Sequence, residues 1–294
     1  MLKILLFGKN GQLGWELQRC LAPLGEVAAF DIPEVDFTQP ESLRQLVEQV
    51  QADVIVNPAA YTAVDKAESD VATARFVNAD AVDVLAQAAL AMRVPLIHFS
   101  TDYVFDGSKG SPYVETDAPN PLNVYGRTKL AGEKAVIESG GAGLVLRTSW
   151  VYSMRQGGFV TKVLAWAKKN PSLRIVADQI SAPTSARMLA EATALMLAQT
   201  GKQPYEWLAE RAGIYHVAGD SSCSRFEWAK AILRYDPDKS ESIVREVLPA
   251  LTADFPSPAE RPLESVLCCD KFDKTFGLRL PPWEEALRLM MEAG

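Results

Sequence analysis

The chain is poor in the residues that build metal centres and disulfide frameworks. Its 294 residues include two histidines and four cysteines, Cys20, Cys223, Cys268 and Cys269. The cysteines show neither metal-ligand spacing nor a disulfide pattern, so we expect reduced thiols and a cytoplasmic protein. His98 and His216 both fall in apolar, strand-like runs, and two are too few for a typical zinc site, so each is read as structural. Long hydrophobic runs are missing as well. No stretch approaches the roughly 20 apolar residues of a membrane-spanning helix, and no signal-peptide pattern precedes the first strand. Positive charge is in short supply: Lys and Arg number 30 against 37 Asp and Glu, a net charge of −7. Without a basic block or a basic–aromatic stripe, neither nucleic acid nor a membrane is an expected partner. Internal repeats and low-complexity tracts are absent. What remains is 48% hydrophobic and 23% charged, long enough for one large α/β domain and a smaller lobe.

Strands and helices alternate along the first half. Short apolar runs at Leu2–Phe7, Val27–Phe30, Asp53–Asn57, Val94–Ser100 and Gly143–Thr148 read as buried strands. Helical spacing fills the gaps: Gly11 to Leu21, Pro40 to Val50, most of Asp65 to Arg93, and the stretch through Tyr125 and Lys129 to about Ser139. Such alternation predicts a Rossmann-type, doubly wound parallel sheet, with ligands over the carboxyl ends of its strands. Gly8, Asp31, Asn57, Ser100-Thr101 and Ser149-Trp150 all fall at those ends. We therefore expect a dinucleotide-binding domain over residues 1–152. Residues 153–294 are read as mainly a substrate-binding lobe, with about 173–200 and 213–219 returning to the sheet domain. Helices are expected over Gly158–Lys169, Thr184–Gln199 and Pro282–Met291, and a short strand over Leu173–Val176; residues 236–265 are rich in Pro, Ser and charge, and no element is assigned to them.

Three motifs suggest chemistry. Gly8-x-x-Gly11-x-x-Gly14 closes the first strand and opens a helix, where small residues admit a pyrophosphate to the backbone and the helix N-terminus supplies free N–H groups. Asp31 ends the second strand, about 20 positions on, where an acid commonly accepts hydrogen bonds from the adenosine ribose. A carboxylate there favours NADH, whereas Lys9 inside the glycine turn could pair with a 2′-phosphate, so both NADH and NADPH are expected to serve. Tyr125 and Lys129, four apart on one helix, share a face. An ammonium beside a phenol lowers its pKa and suits it to proton transfer at a carbonyl or alcohol oxygen.

Taken together, Gly8-Lys9-Asn10-Gly11-Gln12-Leu13-Gly14, Ala59-Ala60-Tyr61-Thr62-Ala63-Val64-Asp65, Ser100-Thr101-Asp102-Tyr103, Tyr125-Gly126-Arg127-Thr128-Lys129 and Arg147-Thr148-Ser149-Trp150 resemble the extended short-chain dehydrogenase/reductase superfamily over nearly the whole chain. Within it they are most similar to the family that reduces the 4-keto group of dTDP-4-dehydro-L-rhamnose, giving dTDP-L-rhamnose. The resemblance implies Tyr125 as proton donor, Lys129 as the group that tunes Tyr125 and holds the nicotinamide ribose, and Thr101, in place of the usual serine, bonding the sugar oxygen. It implies Gly8, Asn10, Gly11, Gln12, Leu13, Gly14, Asp31, Ala59, Ala60 and Tyr61 as cofactor contacts. Thr62, Val64, Asp102, Tyr103 and Trp150 match positions that line the sugar pocket. Pro58 departs from the family's run of alanines and removes one backbone N–H beside the cofactor, with a small effect on affinity expected. Arg155, Arg174 and Arg261 are candidates for the substrate pyrophosphate. Some members form magnesium-bridged dimers through glutamates. Glu16 and Glu292 sit in matching places, but Arg187 stands where a further acid is expected, so no metal is predicted and a homodimer is left open.

Two other readings remain. Dehydratases of the superfamily carry Asp-Glu after the Ser/Thr, and Asp102-Tyr103 lacks that glutamate, which counts against dehydration. An epimerase would use the same tyrosine and lysine, and a non-catalytic NADP-binding regulatory subunit would keep the fold without needing the intact Thr101, Tyr125 and Lys129.

Overall fold

The computed structural model describes residues 1–155 and 157–292. Six parallel strands form its central sheet: β1 (Leu2–Phe7), β2 (Gly25–Phe30), β3 (Val54–Asn57), β4 (Leu96–Thr101), β5 (Gly143–Thr148) and β6 (Gly213–His216). Their spatial order is β2-β1-β3-β4-β5-β6. The chain leaves β1 for one neighbour, then returns on its other side with β3, which opens a crevice above the carboxyl ends of those two strands. Strands β3, β4 and β5 are buried along their whole length, as expected for a sheet covered on both faces.

Each face has its own core. On one, Leu13, Leu17 and Leu21 of α1 (Gln12–Leu21) pack with Leu189, Met196 and Leu197 from the helix Ala186–Ala198. On the other, Leu43 and Val47 of α2 (Pro40–Val50) pack with Leu85 and Ala89 of α3 (Ala81–Met92) and Val136 of α4 (Val124–Glu138). The apolar side chains recur at helical spacing and face the sheet, so the pattern that predicts each helix also docks it.

The span read as helical from Asp65 to Arg93 contains an irregularity that spacing does not reveal. Helical turns at Val64–Ala67 and Val71–Arg75 lead into a π-helical segment, Phe76–Asp80, before α3 begins. The wider turn directs Asn78 inward. Its Nδ2 donates to the Tyr61 carbonyl (3.1 Å) and to Thr128 Oγ1 (3.1 Å), while Oδ1 accepts from the Tyr61 N–H (2.8 Å). Helix α4 crosses here so closely that a Cβ on Gly132 would lie 2.2 Å from the Asn78 carbonyl oxygen. Glycine is therefore required at that crossing.

The second half forms a third core around Tyr152, Val160, Val163, Trp228, Trp283 and Leu287. Within residues 236–265, to which the sequence assigned no element, Glu246–Ala250 is a strand, paired in parallel with Ser172–Val176 in a two-stranded sheet separate from the central one. Pro249 hides it, a residue that a strand in so small a sheet tolerates because it does not need a full set of N–H donors. Gly213–His216 joins the central sheet at its edge, and Ala186–Ala198 covers one of its faces. No helix among the described residues is long and apolar enough to cross a membrane.

Candidate active site

A cleft of about 1180 Å³ opens above the carboxyl ends of the strands, at the reversal between β1 and β3. At one end the chain leaves β1 through Gly8, whose φ of +68° is the left-handed region that glycine reaches without strain. A side chain there would also strike Ala59 on the neighbouring loop, 2.9 Å from the would-be Cβ. Helix α1 then begins at Gln12 with neither a side-chain cap nor an acidic residue in its first turn. Its N–H groups are left to whatever lies in the cleft, the environment a pyrophosphate requires. Gly8, Asn10, Gly11, Gln12, Leu13, Gly14 and Asp31 all line this end, as do Ala59, Ala60 and Tyr61 on the facing loop. These residues fit a dinucleotide.

Asp31 is pinned by two backbone donors, the Asn10 N–H at 2.9 Å and the Ile32 N–H at 2.8 Å. Lys9 turns away: its Nζ binds Glu34 Oε1 at 2.6 Å, and the same carboxylate accepts from the Asp31 N–H at 3.2 Å. The cation that could have welcomed a 2′-phosphate is therefore already paired. Asp36, Phe37 and Thr38 extend this end of the cleft, a contribution that no motif announced.

The catalytic candidates meet at the other end. Thr101, Asp102, Tyr125, Lys129, Thr62 and Trp150 line the cleft; Val64 and Tyr103 do not. Val64 starts a short helix behind the loop, and Tyr103 is buried with its ring edge-on to Tyr125, 5.8 Å between centroids. The Thr101 hydroxyl serves both as a cap and as a site group. Its Oγ1 accepts from the Tyr103 N–H (3.1 Å), donates to Asp102 Oδ1 (3.1 Å), and contacts the Tyr125 phenol. Burial pushes the Tyr125 phenol above its ordinary value. Lys129 contributes nothing to that shift, because its Nζ is turned toward the sheet, donating to the Phe99 carbonyl at 2.7 Å and lying 3.1 Å from His98 Nε2. Burial lowers Lys129 itself to about 8. Asp102 is fully enclosed, accepting from Ser265 and Ser181 of the second half, and burial raises its carboxyl to about 6.

Trp150 adopts a positive φ of +43°, costly for a bulky residue, which turns its indole to the cleft wall. Behind it stand Trp228, stacked at 5.6 Å, and the guanidinium of Arg225 at 3.6 Å. A lone arginine at a helix start carries no sequence signal, so Arg225 was missed. Of the arginines singled out, only Arg155 reaches the cleft, over the Trp15 ring and donating to the Asn10 carbonyl at 3.4 Å. Arg261 pairs with Asp65 at 2.7 Å, and Arg174 with Asp254 at 2.9 Å. Glu16 faces Arg187 at 3.4 Å, and Glu292 pairs with Arg288 at 2.6 Å.

The family described as the RmlD substrate binding domain matches residues 2–294. A protein of Burkholderia thailandensis named dTDP-4-dehydrorhamnose reductase is 45% identical over 98% of this chain and 97% of its own length. One of the same name from Escherichia coli K12 is 42% identical over 99% and 97%. The crystal structure of a dTDP-4-dehydrorhamnose reductase from Bacillus anthracis in complex with NADP superposes with a TM-score of 0.89 at 33% identity, covering 100% of this chain and 99% of that one.

Proposed function

The chain belongs to the RmlD substrate-binding family of dTDP-4-dehydrorhamnose reductases, and from that premise we propose how its cleft works. It is an NAD(P)H-dependent oxidoreductase that reduces the 4-keto group of dTDP-4-dehydro-L-rhamnose to give dTDP-L-rhamnose. The observation that carries this reading to individual residues is the convergence of Thr101, Tyr125 and Lys129 with an uncapped helix N-terminus in one cleft.

When bound, the nicotinamide supplies the hydride to the sugar carbon. The residues of the chain handle everything else. Tyr125, raised by burial, holds its proton at neutral pH and hands it to the oxygen that becomes an alkoxide. Thr101, whose proton rests on Asp102 Oδ1 in the free site, turns it to the same oxygen when the sugar is bound, and the two hydroxyls grip the developing charge more tightly than the ketone. Lys129 lines the cleft one helical turn from Tyr125, where its nitrogen would have to turn from the Phe99 carbonyl to meet a ribose hydroxyl of the cofactor, and its pKa of about 8 leaves it able to exchange a proton near neutrality. Trp150, Asp102 and Thr62 form the wall against the sugar. The substrate is an anionic nucleotide sugar.

The test follows the loss of nicotinamide absorbance with dTDP-4-dehydro-L-rhamnose made in situ. Consumption should depend on the sugar and fall by roughly 10²-fold or more in Tyr125→Phe while cofactor binding survives, the usual scale for removing a general acid. Near-native turnover in that variant would take Tyr125 out of the chemistry.

A further inference from the structure

Three buried side-chain groups have no hydrogen-bond partner among the described residues: the hydroxyl of Thr148, the phenol of Tyr152 and the indole N–H of Trp228. Tyr152 and Trp228 belong to the third core, their rings 5.4 Å apart, and neither lines the cleft. Thr148 does line it, at the carboxyl end of β5, although only 6% of the residue is exposed. The other hydroxyls along that edge are committed. Ser100 Oγ donates to Glu133, Thr101 Oγ1 to Asp102, Ser149 Oγ to the Ala182 carbonyl and Ser153 Oγ to Gln12 Oε1. A buried hydroxyl without a partner has lost its bonds to water and gained none in return. At Thr148 that deficit faces the cleft, where a ligand can make it good.

Strand geometry says what the hydroxyl can reach. Thr148 follows Leu144 and Leu146 at a period of two, so it shares their face of the sheet, the one on which α1 packs through Leu13. It is in register with Thr101 on β4, one strand spacing of about 4.8 Å away. Leu13, Phe99 and Val151 give this part of the cleft an apolar wall. Asp31 lies at the far side of the sheet, on the end of β2, so a dinucleotide with its adenosine there sends its nicotinamide toward β4 and β5. The ring gives up its hydride from C4 and carries its carboxamide on C3, the adjacent atom. When C4 meets the carbon whose oxygen Thr101 and Tyr125 hold, the carboxamide lies within a few ångströms of Thr101, the range of its neighbour on β5. An amide offers both an acceptor oxygen and donor N–H groups, so a hydroxyl can bond it in either sense.

We propose that Thr148 is a cofactor-binding residue: its hydroxyl bonds the carboxamide of the nicotinamide and so fixes which way the ring is turned about its bond to the ribose. The proposal rests on the NAD(P)H reading above and is independent of which sugar is reduced.

The test uses ligands that differ only at the nicotinamide: NADH against ADP-ribose, and NADPH against 2′-phospho-ADP-ribose. Each is titrated by calorimetry, without sugar, into the native protein, Thr148→Val and Thr148→Ser. Valine keeps the shape and removes the hydroxyl, so the Kd for the reduced cofactor should rise about fivefold, the scale of one hydrogen bond, while that for the nicotinamide-free ligand stays within about twofold of native. Serine restores the hydroxyl and should bring cofactor affinity back. Without ligand, Thr148→Val should be no less stable than the native protein in urea, because nothing among the described residues pairs with the group removed. A less stable variant would show that the hydroxyl is already satisfied within the fold and would overturn the proposal. Equal weakening of both ligands would also overturn it, by moving the contact to the part that they share. So would unchanged cofactor affinity, whether the KM for the sugar rises, which would give the hydroxyl to the sugar, or stays as it was. Native protein that binds neither NADH nor NADPH would overturn the cofactor reading and the proposal with it, a failure visible before any substitution is made.

Discussion

Helix α4 presents two buried charges to the same sheet, one turn apart, and they are met in opposite ways. Glu133 faces Arg147, whose Nε and Nη2 lie 2.9 Å and 2.6 Å from the two carboxylate oxygens, with both side chains sealed from solvent. Lys129 meets a carbonyl and an imidazole, both neutral. A charge answered by a counter-charge in a two-bond pair serves as scaffold. A charge answered by neutral dipoles pays its desolvation without return and titrates near working pH, where proton transfer is useful. Tyr125, Lys129 and Glu133 are spaced i, i+4, i+8, so one stripe of one helix runs from chemistry into structure.

The largest expected effect breaks the scaffold side of that contrast. Glu133→Gln leaves the Arg147 guanidinium buried without its counter-ion and should cost about 3–5 kcal/mol in urea unfolding. Lys129→Met removes a charge that had no counter-ion, so its stability should stay within about 1 kcal/mol of the native protein while turnover collapses. Equal destabilisation by the two changes would erase the distinction.

A smaller effect sharpens it. Asp102 resembles Lys129 in having only neutral hydrogen-bond partners, the hydroxyls of Thr101, Ser181 and Ser265. Its carboxyl rises from 3.8 to about 6, so the folded state holds this proton more tightly than the unfolded chain. The stability it contributes is complete below about pH 4 and is lost as pH rises through about 6. Asp102→Asn cannot ionise, so the difference in Tm between variant and native protein should climb in the variant's favour across that window. A difference independent of pH would mean that Asp102 is not held in its protonated form.

The smallest effect concerns the cofactor end. Asp31→Ala should raise the ratio of kcat/KM for NADPH over NADH about tenfold, the scale of 1.4 kcal/mol. With Lys9 tied to Glu34, a further Glu34→Gln change should free the lysine and raise the ratio again. An unchanged ratio in Asp31→Ala would separate that carboxylate from the ribose.

The sequence made some of these features readable and concealed others for physical reasons. Buried parallel strands such as Val54–Asn57 and Gly143–Thr148 are continuous apolar runs, and Tyr125 with Lys129 is a local spacing on one helix, so both could be read directly. The His98–Lys129 and Glu133–Arg147 contacts join different elements, and nothing local in the sequence signals a pair. The strand Glu246–Ala250 was obscured by its own proline. The direction of the Lys129 nitrogen was obscured as well: helical spacing puts a lysine on the right face but does not say which of its neighbours the end of a flexible side chain will choose.

The π-helical segment at Phe76–Asp80 amounts to one residue more than a regular helix would need. Remove one, and every residue beyond it would rotate by about 100° around the helix axis. Asn78 would no longer reach both Tyr61 and Thr128. The loop that borders the cofactor end of the cleft and the helix that carries Tyr125 are therefore clasped by a single amide whose aim depends on an odd count. Along this stretch the chain can exchange side chains freely on its outer surface, but it cannot change length.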